Sequence, residues 1–129
     1  MNKEIIITPD APSPIGPYSQ AVAARNFLFI SGQIPIQPST GKLITENIQS
    51  EAKQVMENLK AILTAANLDF SDVVKTTIFL TDMNHFSEVN SVYAEYFTNQ
   101  FPARETVAAA ALPRGVHIEI SMIAANKNA

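Results

Sequence analysis

The stretch FPARETVAAAALPRGVHIEI, residues 101–120, carries one arginine at the mouth of an alanine run and one glutamate inside an apolar alternation. Arg104 offers a planar guanidinium that can grip a carboxylate through two parallel, charge-assisted hydrogen bonds. Thr106 adds a hydroxyl two residues further on. Glu119 offers a carboxylate which, if partly desolvated, would have its pKa raised and could take a proton from water. A cation to hold an anion, a hydroxyl and a carboxylate make a chemically useful set. The run His117 to Glu119 also matches the H-x-E of zinc nucleobase deaminases, but that chemistry requires a P-C-x-x-C pair and the chain has no cysteine. His117 and His85 therefore read as ordinary surface or half-buried histidines, and no metal site is expected.

Whether Arg104 and Glu119 can act together depends on the strands that carry them. Val116, Ile118, Ile120, Met122 and Ala124 alternate onto one face, which turns His117, Glu119, Ser121 and Ile123 to the other, away from the helices. In the preceding stretch Arg104, Thr106, Ala108 and Ala110 share a face opposite Glu105, Val107, Ala109 and Ala111. Residues 104–112 and 116–124 read as two strands closed in a hairpin around PRG. A four-residue connection, 113–116, pairs Leu112 with His117 and Ala110 with Glu119, which puts Arg104, Thr106 and Glu119 on one face. A three-residue connection groups Glu119 with Glu105 instead, because a one-residue slip swaps the faces. The first register is the chemically more useful one.

The elements upstream must support that floor. EIIIT, residues 4–8, is β-branched and ends at Pro9, as a short strand should. PDAPSPIGPYSQA holds four of the eight prolines and reads as an ordered loop with little helix or sheet. NFLFISGQIP, residues 26–35, is a strand apolar on both faces, hence expected to be buried on both. QPSTGK is a turn. Ile48, Ala52, Val55, Leu59, Ile62 and Ala66 recur at helical spacing over 46–66, with Met56 and Leu63 widening the stripe. DVVKTTIFLTDM, residues 72–83, returns to strand. Asp82 or Asn84 can then cap a second helix whose apolar face is Phe86, Val89, Tyr93 and Phe97.

Two strands, a helix, a strand, a helix and two more strands make an α+β layer pattern, with both helices on one sheet face. The other face is rich in Ala and Ile. An apolar face with no third layer points to another subunit, so a homo-oligomer is expected. A chain of 129 residues, 47% hydrophobic, suits one domain over 1–129, since at this length about two thirds of the unfolded surface is buried. With 9 basic against 12 acidic residues, a net charge of -3 and no basic block, nucleic acid is not an expected partner. The N-terminus MNKEIIITPD has too short an apolar run for a signal sequence or a membrane span, so a soluble, cytoplasmic protein is expected.

Taken in order, IGPYSQA, ISGQIP, VVKTTIFLTDM, FSEVNSVYAEYF and FPARETV…LPRGVHIEI resemble the RidA/YjgF family of reactive intermediate deaminases. The resemblance covers nearly the whole chain, and P-x-R with the spaced I-E-[IM] around Arg104 and Glu119 is its most specific part. It implies a chorismate-mutase-like protomer with a mixed sheet and two helices on one face, and a homotrimer with clefts between neighbouring subunits. It also implies hydrolysis of enamine and imine acids, 2-iminobutanoate and 2-iminopropanoate, which pyridoxal-phosphate enzymes release from threonine and serine. The products are 2-keto acids and ammonia, and no cofactor is required. In that reading Arg104 binds the substrate carboxylate, Glu119 orients the attacking water and accepts its proton, and Thr106 lies beside the carboxylate with a backbone N–H and a hydroxyl. Tyr18, Ser31, Gly32 and Asn90 match other positions lining the family's cleft.

Two departures bear on the cleft, Glu105 on its substrate preference and a short tract on the shape of its wall. Glu105 follows the arginine where the family usually has a small residue, and YFTNQFPAR is short beside some members. Two other functions stand beside the hydrolase: a non-catalytic trimer that holds a small carboxylate, and a ribonuclease or translation inhibitor, an activity also ascribed to the family and disfavoured by the acidic balance.

Overall fold

The structure, a computed structural model, describes residues 2–126. Six strands form one mixed sheet among the described residues: β1 (Glu4–Ile6), β2 (Ala21–Ala24), β3 (Phe27–Gln33), β4 (Val73–Leu80), β5 (Ala103–Ala108) and β6 (Ile118–Ala125). Their spatial order is β1-β2-β3-β6-β4-β5, antiparallel throughout except for the parallel pair β4 and β5.

The helical stripe becomes α1 (Ile48–Ala65), begun by Asn47, whose side chain accepts a hydrogen bond from the Ser50 amide. Ala52, Val55, Met56, Leu59, Ile62 and Leu63 are all but inaccessible along its inner face. Burying each large apolar side chain of this kind contributes about 1.5–3 kcal/mol. The short α2 (Phe86–Ala94) follows a single turn, Met83–His85, at which the Asp82 side chain accepts from the Asn84 amide. Val89 and Tyr93 are its buried residues. Both helices cover the face on which β6 presents Ile118, Ile120, Met122 and Ala124, and β4 presents Thr76, Ile78 and Leu80. No helix among the described residues is long and apolar enough to cross a membrane.

Three expectations change. First, Ala21–Ala24 is a strand, paired with β1 on one side and β3 on the other. Its AVAA composition has weak strand preference, and the turn to β3 uses Arg25 and Asn26 at φ 54 and 71. That is two-residue hairpin geometry made without the glycine that usually announces it. Second, β3 is not buried on both faces within one chain. Leu28 and Ile30 are buried, whereas Phe27 and Phe29 on the outer face are 43% and 46% exposed.

Third, the closing hairpin does not form. The chain leaves the sheet after Ala108, turns through Pro113–Gly115 with Arg114 and Gly115 at positive φ, and re-enters at Ile118 on the far side of β4. β4, α2 and β5 thus form a strand–helix–strand crossover, the connection that parallel neighbours require.

Candidate active site

Register within the sheet decides which side chains can meet. Thr76 lies opposite Arg104 and Ile78 opposite Thr106, so Arg104 and Thr106 point to the helix face with the core residues of β4. Phe79 lies opposite Glu119 on one side and Val107 on the other, so Glu119 points to the outer face. The arrangement of Arg104, Thr106 and Glu119 on one floor is therefore wrong for a single chain. It is Glu105, opposite Thr77, that shares the outer face with Glu119. Glu105 is taken up by Lys75, at 3.0 Å.

Glu119 faces a cavity of about 280 Å³ lined by Pro12, Ile15, Tyr18, Gly32 and Pro113 among others. Burial alone raises its pKa above the usual 4.5, because the cavity wall is largely apolar and offers the charge no partner among the described residues. The carboxylate lies against Gly32, where a Cβ would come within 2.8 Å of the Glu119 carboxyl carbon and closer still to Oε2. Glycine is what permits that approach.

The proline-rich loop opposite is fixed by Gln20, only 2% exposed. Its amide nitrogen reaches the carbonyls of Thr8, Ala11 and Pro12 at 3.0, 3.2 and 2.9 Å, and its oxygen accepts from the Thr8 amide at 2.8 Å. Ser31 spends its hydroxyl on the Ser19 carbonyl, at 2.6 Å, and so holds the loop from behind. Tyr18, at 52% exposure, projects from that loop into the cavity mouth. The entry to β6 is anchored separately. Buried Glu51 on α1 accepts from the His117 backbone amide at 2.9 Å and meets the half-exposed His117 ring at 2.6 Å.

Arg104 borders a second cavity, of about 310 Å³, with Asn90, Tyr93, Phe101 and Pro102. Its guanidinium carbon stands 5.2 Å from the Tyr93 ring centre and 5.5 Å from that of Phe86. Thr106 lies two residues along the same face. Its hydroxyl oxygen is buried and has no hydrogen-bond partner among the described residues.

The residues singled out from the sequence thus fall into two half-sites. Tyr18, Gly32 and Glu119, with Ser31 behind them, form one; Arg104, Asn90 and, further along the strand, Thr106 form the other. Sequence reasoning missed Gln20, Phe86 and Tyr93 as site-builders. The spacing of Phe86 and Tyr93 signals only a helix face, and which strand faces that helix is a tertiary fact.

One half-site can hold an anion and the other can activate water. The chain matches the family described as Endoribonuclease L-PSP over residues 8–126. It is 55% identical over 122 residues to a RutC family protein of Pyrococcus horikoshii, covering 95% of this chain and 97% of the relative. It is 48% identical over 122 residues to the human 2-iminobutanoate/2-iminopropanoate deaminase, covering 95% and 89% of the two chains. Among solved structures, E. coli TdcF with bound serine superposes with a TM-score of 0.91 at 42% identity, over 95% of this chain and 98% of that one. With the mixed six-stranded sheet and its two helices in place, the chain belongs to the RidA/YjgF family, whose matched region runs over nearly its whole length.

Proposed function

We propose that this chain is a cofactor-independent hydrolase of 2-imino acids and their enamine tautomers, working at clefts where the Arg104 half-site of one subunit meets the Glu119 half-site of the next in a homotrimer. The observation that carries the reading is the split itself. An arginine with no carboxylate paired to it among the described residues and a desolvated glutamate lie on opposite faces of one sheet, so they can share a substrate only across a subunit boundary. The exposed Phe27 and Phe29 on the outer face support such a boundary. Relatives named as imine deaminases, and one solved with a small amino acid bound, support the substrate class.

In this mechanism Arg104 grips the carboxylate of the imino acid in a bidentate pair, Asn90 adds a polar group to the cavity wall, and Thr106 lies two residues along the strand. Glu119 takes a proton from water as the oxygen adds to C2 of the C=N bond. Glu119 returns that proton to nitrogen to give the neutral carbinolamine, then takes the carbinolamine hydroxyl proton and passes it to nitrogen as the C–N bond breaks, so that ammonia leaves and the 2-keto acid remains. A base with a pKa raised towards the working pH is the more effective partner in such a transfer. The Tyr18 loop covers the cavity and keeps the carboxylate partly out of solvent.

The test is coupled kinetics. A threonine dehydratase supplies the imine from threonine, semicarbazide traps what escapes, and this protein is added as wild type, Arg104→Ala or Glu119→Gln. Faster keto acid formation and less trapping with wild type alone are the expected result. No rate effect from a folded wild-type oligomer, together with tight binding of small carboxylates, would favour a non-catalytic binding trimer instead.

A further inference from the structure

We infer that Phe86 and Tyr93 are positioning residues for Arg104, two ring faces that hold the guanidinium while leaving its N–H edge free for a ligand carboxylate. The identity of that ligand rests on the imino-acid reading above; the ring contacts do not.

The argument begins with charge. Among the described residues no Asp or Glu pairs with Arg104, and its neighbour Glu105 is turned to the other face and bound to Lys75. A long side chain left free would have to be ordered by the ligand, and that entropy would be subtracted from affinity. A structural carboxylate could order it, but only by occupying the donors the ligand needs. An aromatic face attracts the cation without using an N–H group.

The geometry matches that requirement. Cζ of Arg104 lies 5.2 Å from the Tyr93 centroid and 5.5 Å from that of Phe86. Tyr93 is itself tied down: it is 4% exposed, and its hydroxyl meets Thr76 Oγ1 at 2.9 Å. Thr76 is fully buried and is the β4 residue opposite Arg104. The ring that orients the arginine is thus fixed to the arginine's own strand neighbour. Phe86 is 39% exposed at the first position of α2, behind the turn capped by Asp82. Contact with the guanidinium gives that outlying ring a role beyond packing.

Two readouts test the assignment, with thermal melting to confirm folding of each variant. The first needs no substrate: the side-chain Nε–Hε signal of Arg104, identified by its loss in Arg104→Lys, should be displaced by ring currents in wild type. It should move towards the ordinary arginine position in Phe86→Leu and remain displaced in Phe86→Tyr. In the second, Phe86→Leu should raise KM for the imino acid about fivefold while kcat changes less than about twofold, and Phe86→Tyr should restore KM. Tyr93→Phe, which keeps the ring and cuts the tie to Thr76, should fall between. An Arg104 signal unchanged in Phe86→Leu overturns the assignment, as does a joint loss of kcat and melting temperature that Phe86→Tyr fails to rescue. If no form hydrolyses imines and yet the Arg104 signal moves on Phe86→Leu, the ring clamp stands and the substrate reading falls.

Discussion

Around Glu119 the chain is held by hydrogen bonds: Gln20 gathers the proline-rich loop, Ser31 fastens it from behind, and Glu51 grips the backbone at the entry to β6. Around Arg104 it is held by ring faces, with one hydroxyl pair beneath them. In the proposed mechanism the contrast follows from what each group does. A base works from a fixed position in a partly dry cavity, so its surroundings are locked while its own carboxylate is given no partner. An anion clamp must keep every donor available, so it is steadied through its π face instead. A shared design would fail one of the two tasks, since a carboxylate beside Arg104 would compete with substrate and a cation beside Glu119 would lower its basicity.

The division can be broken from either side, and the largest effects should come from deleting the charged groups. Arg104→Ala should cut kcat/KM about a hundredfold or more, the worth of a charge-assisted pair. Glu119→Gln should lower kcat by about 10²–10⁴, the range for a general base. Steady-state kinetics on folded oligomers measures both. A variant of Glu119 with full kcat would move the base elsewhere.

Next in size is Gly32→Ala. The new Cβ would collide with the Glu119 carboxylate and push it out of place, so kcat should fall about ten- to a hundredfold with KM little changed. A rise in KM alone would mean that Gly32 serves the binding half and not the base.

The pH dependence sharpens the same half-site. Burial raises the pKa of Glu119 above 4.5, so the folded chain holds that proton more tightly than the unfolded chain does. Stability linked to this group is therefore fully present below the ordinary carboxylate pKa and is lost as pH rises through the folded value. Thermal melts should show Glu119→Gln more stable than wild type near neutral pH and level with it at about pH 3. The acid limb of kcat/KM should fall at a pH above the usual carboxylate range. A limb at or below 4.5 would contradict the desolvated base.

The smallest effect belongs to the Arg104 side. Thr106→Val removes a buried hydroxyl that has no partner among the described residues, so the free protein should gain up to about 1 kcal/mol. Chemical denaturation reads that gain. A loss of similar size would mean the hydroxyl is already bonded in the assembled protein.

Local periodicity made much of the fold legible. The stripe of α1 and the strict alternation of β6 depend only on near neighbours, and both emerge with the expected residues buried, except Ala66, which caps the helix and is only partly buried. Pairing between strands is not local. PRG looked like a hairpin turn, whereas the order strand, helix, strand across β4, α2 and β5 was the better guide to β5 lying parallel to β4. That one reversal moved Arg104 to the opposite face from Glu119. AVAA, Arg25 and Asn26 carried no strand or turn signal strong enough to read. Arg104, Thr106 and Glu119 stand out by residue type and position, Tyr18, Ser31, Gly32 and Asn90 only through the resemblance, and Tyr93 reads as part of a helix's apolar face. Its ring beneath Arg104 became visible only once β5 had a place in the sheet.

The most direct measurement mixes the two inactive forms. Arg104→Ala and Glu119→Gln subunits, each inactive alone, are unfolded together, refolded and assayed for imine hydrolysis. If each cleft takes its arginine from one subunit and its glutamate from the next, random assortment in a symmetric ring gives about a quarter of the clefts both wild-type groups. Activity should return to about that fraction of wild type. Mixed oligomers that assemble, by mass spectrometry, and remain inactive would contradict a site shared between subunits.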